Sequence, residues 1–200
     1  KNLKDSYNIE FKTYPQIIYD DNDGEKYIGG YDDFEELTRP IFNFKKLYDV
    51  VKVVTRNLDL IVDLNFYPVK ETKLSNTRHR PLGLGVQGLA DVYCKMRYPF
   101  DSEKASQLNK EIFAVIYYAS LTASHELAKE NGPYSSFKGS PLSKGLFQFD
   151  LWKTEPIKKV YNNIITLDWE SLRNDIIKDG TRNSLLLAPM PTASTSQIMG

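Results

Sequence analysis

"SLLLAPMPTASTSQIMG", residues 184–200, sets the reading of the whole chain. A short apolar run ending in Ala188 gives way to two prolines, Pro189 and Pro191, and then to four small residues, Thr192, Ala193, Ser194 and Thr195. Apolar residues bounded by proline suit a short strand, and Ser and Thr suit the first turn of a helix. The first amides of a helix have no partner within it, and the aligned peptide dipoles add positive potential there. Three hydroxyls at such a turn make an anion site whose physics is to hold a phosphate. None of these residues is a nucleophile or a base. On these residues alone, an ordinary Ser/Thr helix cap explains the stretch equally well.

The chain around it is ordinary in composition. Of 200 residues, 41% are hydrophobic and 26% charged, and 26 basic side chains balance 26 acidic ones. A formal charge of zero leaves no electrostatic footprint for nucleic acid. No apolar run reaches the roughly 18 residues of a membrane span, and the start "KNLKDSYNIEFK" lacks the apolar core of a signal peptide, so a cytoplasmic location is expected. A single cysteine, Cys94, excludes an internal disulfide and any dithiol chemistry by this chain alone.

Residues 1–43 are polar and without a sustained helical period. Asp23-Gly24 inside "QIIYDDNDGEKYIGGY" predicts a β-hairpin. A calcium loop fails there, since the register of Asp21, Asp23 and Gly24 puts Tyr19 and Gly30 where ligand carboxylates are required. From Phe44 the pattern predicts a helix within about 44–66, its buried stripe being Leu47, Val50, Val51, Val54, Leu58, Ile61 and Val62. A second helix, within about 102–130, begins at the capping pair Asp101-Ser102 and stops at "KENGPY". "RHRPLGLGVQGLADVYCKM" reads as a very short strand turning into a helix, and "DWESLRNDIIKDG" as a helix closed by Gly180.

Gly83-x-Gly85-x-x-Gly88 matches the dinucleotide-binding fingerprint, but the buried strand that must precede it has no room after "TRHRP". The plainer reading is a set of glycines that lets a short strand and a helix pack closely. Tyr117-Tyr118 fit core packing better than radical transfer. His79 and His125 have no ligand neighbours in sequence and read as a turn contact and a helix-surface residue. Cys94 reads as a packing cysteine.

Together, "LSNTRHRPLGLGVQGLADVY", "MRYPFDSEKASQLNKEIFAVIYYASLTASHELAKENGPY", "KGSPLSKGLFQFDLW" and "RNSLLLAPMPTASTSQIMG" resemble the large, catalytic subunit of class I ribonucleotide reductase of the eukaryotic type. The resemblance runs over residues 44–200 and leaves 1–43 as a hairpin-like insertion. It implies an α/β fold, a mainly helical segment of the family's ten-stranded barrel. It also implies that Thr192, Ala193, Ser194 and Thr195 bind the diphosphate of a ribonucleoside diphosphate substrate. That enzyme reduces the ribose by a thiyl radical, with cysteines upstream of the matched region, so no catalytic residue, cofactor or metal is expected in this chain and the chain alone should be inactive.

The same resemblance implies a diiron, radical-generating small subunit, ATP and deoxynucleotide effectors, thioredoxin or glutaredoxin as reductant, and a large-subunit homodimer or higher oligomer. Without the resemblance, a nucleotide-binding dehydrogenase and a noncatalytic helical interaction module remain the alternatives.

Overall fold

The computed structural model describes residues 17–21, 24–30, 33, 38–160 and 165–199. The chain divides into two compact units, one of Lys1–Phe42 with Cys94–Arg97, the other of Asn43–Tyr93 with Tyr98–Gly200. In the first, strands β1 (Ile17–Asp21) and β2 (Gly24–Gly29) pair antiparallel with Asp21 opposite Gly24. Asp23, half of the expected turn pair, lies outside the described residues.

The second unit is built on helices. Helix α1 (Phe44–Leu64) starts at Asn43, whose side chain accepts from the Lys46 amide at 2.9 Å. Its buried line is Phe44, Val51, Thr55, Asp59 and Val62, at the four-and-three spacing that keeps one helix face inward. This corrects the expected stripe: Val50, Val54 and Ile61 are exposed, and Thr55 and Asp59 take the inner positions. Apolar residues occur on more than one face of α1, so periodicity alone could not choose among them. Polar partners elsewhere in the fold made the choice.

A short helix, α2 (Lys70–His79), follows in a polar stretch that carries no periodic signal. It ends on Arg80, which sits in the left-handed region at φ 44°. Helix α3 (Leu89–Met96) comes after the glycines.

The core is organised by α4 (Glu103–Asn131), capped by Ser102, whose hydroxyl accepts from the Ala105 amide at 3.1 Å. Its inner face carries Leu108, Ile112, Val115 and Ile116, then the small residues Ala119, Ser120, Ala123 and Ser124, all buried. Small side chains let neighbouring backbone come close, and each fully buried Leu, Ile or Val contributes about 1.5–3 kcal/mol. Helix α1 makes the most extensive contact with it. Along its outer edge, Lys52 and Arg56 pair with Glu126, and Arg56 also pairs with Glu130.

Helix α5 (Gln148–Trp152), the two-residue strands β3 (Lys159–Val160) and β4 (Ile165–Thr166), and helix α6 (Trp169–Asp179) complete the unit. Asp168 caps α6, accepting from the Ser171 amide at 3.0 Å. Gly180 closes it at φ +85°, where an added Cβ would stand 2.7 Å from Pro133 Cβ. Tyr117, Tyr118, Phe147, Phe149 and Trp169 form one aromatic cluster beneath α4, with Tyr118 and Trp169 edge to face at 5.1 Å. The tyrosine pair is therefore core packing. Burial pushes both phenols above their ordinary range.

Two extended runs far apart in sequence, 82–84 and 185–188, lie side by side and parallel. The Leu82 amide donates to Leu185 O at 2.9 Å, Leu84 to Leu186 O at 2.8 Å, and Ala188 to Leu84 O at 3.0 Å. Leu84 and Leu187 form a parallel bridge. A parallel pair needs a crossover connection, and here helices α3 to α6 supply it. Among the described residues this is all the parallel pairing there is, so 70–100 holds no long sheet. The α/β expectation stands in that limited form.

Candidate functional site

The loop at the C-terminal end of the 185–188 run carries the candidate residues. Thr192 adopts φ 59°, in the left-handed region that β-branched residues avoid. The turn this makes lets the Ser196 amide donate to Thr192 O at 2.9 Å, the first bond toward helix α7 (Thr195–Met199). The amides of Ala193, Ser194 and Thr195 stand ahead of that first bond. Ala193, Ser194 and Thr195 are exposed and Thr192 is half-buried. Thr195 Oγ1 donates to Thr192 O at 3.3 Å and Ser196 Oγ to Ala193 O at 3.3 Å. Among the described residues, the Ser194 hydroxyl has no partner.

The glycine stretch meets this loop at its root. A Cβ on Gly83 would lie 3.3 Å from Ala188 Cβ, and one on Gly85 would lie 3.3 Å from Ala188 O and 3.5 Å from the Met190 amide. Side chains there would push the two runs apart. Helix α2 and the left-handed Arg80 come just before, and the short paired run already contains Gly83, so no buried strand leads into the glycines as the dinucleotide fingerprint requires.

Beneath the paired runs lies a buried polar network that the sequence did not announce. Arg80, almost wholly buried, donates from Nε to Asp59 Oδ1 at 2.9 Å and from Nη2 to Asp59 O at 2.9 Å. It also forks onto Asp63 Oδ1 and Oδ2 at 2.7 and 2.8 Å. Its hydrogen bonds hold the Asp63 carboxyl below the ordinary carboxylate range. Asn183, fully buried, donates from Nδ2 to Asp59 Oδ1 at 2.8 Å and to Arg80 O at 3.2 Å. Its amide donates to Ser124 Oγ at 3.0 Å, and Ser124 Oγ donates back to Asn183 Oδ1 at 2.9 Å. An acidic residue in the middle of an apolar helix stripe, Asp59, was the one available sequence signal, because a carboxylate there must find a partner.

The other singled-out residues stand apart from the loop. His79 Nδ1 lies 2.6 Å from Ser136 Oγ. His125 is buried, its Nδ1 3.2 Å from Gly180 O, which corrects the helix-surface reading: the close of α6 covers it. Cys94 is exposed, which corrects the packing reading. Among the described residues no three His, Cys, Asp or Glu side chains cluster as a metal site, and no helix is long and apolar enough to cross a membrane.

The family described as "Ribonucleotide reductase, barrel domain" matches residues 32–200, beginning twelve residues before the stretch that the sequence resemblance covers. The chain belongs to that family. The chain is 56% identical over 167 residues to a "Ribonucleoside-diphosphate reductase large subunit" of Plasmodium falciparum, covering 84% of this chain and 20% of the relative. With the large subunit of Caenorhabditis elegans it shares 59% identity over 159 residues, 80% of this chain and 19% of the relative. With "Ribonucleoside-diphosphate reductase large chain 2" of Saccharomyces cerevisiae it shares 55% over 159 residues, 80% and 18%. The chain thus spans about a fifth of the length of the curated relatives it matches.

Proposed function

We propose that this chain is part of the catalytic barrel of a ribonucleoside-diphosphate reductase large subunit, an oxidoreductase of deoxyribonucleotide biosynthesis, and that Pro189–Thr195 grips the substrate's diphosphate. One observation carries the reading: a run in parallel pairing ends in an exposed turn where amides and a Ser194 hydroxyl that have no partner among the described residues precede a helix start. Ionised phosphate oxygens accept strong hydrogen bonds from such donors. Thr192 and Ala193 contribute backbone amides, and Ser194 and Thr195 add hydroxyls, the Thr195 group turning away from Thr192 O when it donates to phosphate.

The radical chemistry lies outside these residues. One exposed cysteine cannot supply both a radical and a reducing dithiol. We assign the radical source to a diiron small subunit, the reductant to thioredoxin or glutaredoxin, and the ATP and deoxynucleotide effector sites to other parts of a cytoplasmic, oligomeric large subunit with a ten-stranded barrel.

The test is a titration of a ribonucleoside diphosphate and of an effector against Ser194→Ala and Thr195→Val in the complete large subunit. Loss of one charge-assisted bond, about 1.5–3 kcal/mol, weakens substrate binding about ten-fold or more. The effect is similar for all four bases and leaves effector binding unchanged. Unaltered substrate affinity in both variants, with the loop still folded, rules the assignment out.

A further inference from the structure

The loop's position depends on a register that its own short ladder cannot fix. Runs 82–84 and 185–188 share only three backbone bonds, and a one-residue slip would carry Leu186, which is buried, to the opposite face. Two residues before the second run stands Asn183, with every polar atom of its side chain engaged. Its two Nδ2 protons go to Asp59 Oδ1 and Arg80 O, and its Oδ1 accepts from Ser124. Its own amide and that of Arg182 bond α4, at Ser124 Oγ and Ser124 O, and the Ser184 amide donates to His79 O at 3.1 Å. One side chain thereby ties the entry of the 185–188 run to α1, to α4 and to Arg80, two residues ahead of the 82–84 run.

The neighbours dictate the residue type. An Asp at 183 would face the Asp59 carboxylate, and an apolar residue would leave Asp59 Oδ1 and Arg80 O short of a buried donor. We propose that Asn183 is a positioning residue for substrate binding. It sets the register of the run that delivers Pro189–Thr195, and so places the phosphate donors without touching substrate. This inference rests on the loop reading above.

The experiment uses the complete large subunit with Asn183→Ala, the milder Ser124→Ala, and Ser194→Ala as the loop comparison. Two experiments are run: amide hydrogen exchange without substrate, and steady-state kinetics giving KM and kcat for a ribonucleoside diphosphate. In the two network variants, exchange at the Leu84 and Ala188 amides accelerates about ten-fold or more while the middle of α4 is unchanged. KM rises about five-fold or more with kcat held within about two-fold, as expected when ground-state and transition-state binding are lost equally. Should Asn183→Ala not fold, Ser124→Ala carries the same expectation. Equal acceleration throughout α4, or faster exchange with unchanged KM where Ser194→Ala raises it, overturns the inference and leaves the loop reading intact. An unchanged KM in Ser194→Ala as well removes the loop reading and this inference with it.

Discussion

Arg80 Nε donates to Asp59 Oδ1 at 2.9 Å, and both side chains are almost wholly removed from solvent. Asp59 stands on α1 and Arg80 at the end of α2, so the pair joins two helices to the start of the 82–84 run. Taking one charge out of such a pair leaves the other buried and uncompensated, a loss of about 3–5 kcal/mol. Arg80→Met should therefore lower the thermal unfolding midpoint by several degrees or more. Asp59→Asn, which keeps shape and one acceptor, should cost less. A midpoint unchanged in Arg80→Met removes the network from the list of what holds this unit together.

Two carboxyls make the unit acid-sensitive. Asp63 accepts from Arg80, and Asp150 accepts from Arg173 at 2.8 Å; both are held below the ordinary carboxylate range by those hydrogen bonds. Folding therefore lowers their affinity for protons. Their contribution is complete above the unfolded value of about 4 and is lost as pH falls through the lower folded values. Asp63→Asn with Asp150→Asn should flatten the decline of stability below about pH 4 and alter nothing in its slope near pH 7. Thermal unfolding across that range measures the difference, and an identical acid slope in the double variant contradicts it.

Local signals and long-range ones parted company in this chain. The cap at Ser102 and the stop at Gly180 were readable, because each acts on amides or carbonyls within a turn of itself. The inner face of α1 was not. Asp59 is selected by Arg80 and Asn183, which lie 21 and 124 residues away along the chain. Helix α2 was missed because its residues are polar on every side. At the loop, composition indicated hydroxyls and a helix entry, but nothing in a threonine foretells the left-handed backbone at Thr192.

Gly180 offers a test of backbone geometry. At φ +85°, with Pro133 Cβ 2.7 Å from any added Cβ, alanine meets both conformational strain and a clash. Gly180→Ala should cost about 1–3 kcal/mol. Gly139→Ala is the control, because its φ of +88° is as unfavourable but an added Cβ has nothing within 4 Å. Equal losses in both variants, compared by thermal unfolding, put the whole effect down to φ.

Cys94 should react readily with a thiol reagent, since it is exposed. Among the described residues its thiol has no hydrogen-bond or ion-pair partner, and turnover should not depend on it. Cys94→Ala in the complete enzyme should leave both turnover and unfolding midpoint near their starting values. A loss of several orders of magnitude in turnover, with the fold intact, would relocate the chemistry to this residue.

Thr192 ties strain to the proposed function. A β-branched residue at φ 59° costs on the order of 1–2 kcal/mol relative to the ordinary helical region, and such strain persists where surrounding structure enforces it. Here the Ser196 amide and the Thr195 hydroxyl both bond Thr192 O, fixing the turn that contains the Ala193 and Ser194 amides. Thr192→Gly removes the strain but gives the unfolded chain more freedom, worth about 0.5–1 kcal/mol the other way, so stability should change little or rise slightly. Substrate affinity should fall several-fold, because a glycine turn holds the donors less firmly before phosphate arrives. Thr192→Ser keeps a Cβ at the same φ and should bind closer to the parent. Stability is read by thermal unfolding and affinity by titration with a ribonucleoside diphosphate. A glycine variant that matches the parent in affinity shows that the left-handed turn is incidental to phosphate binding, and that the donors need only be present, not held.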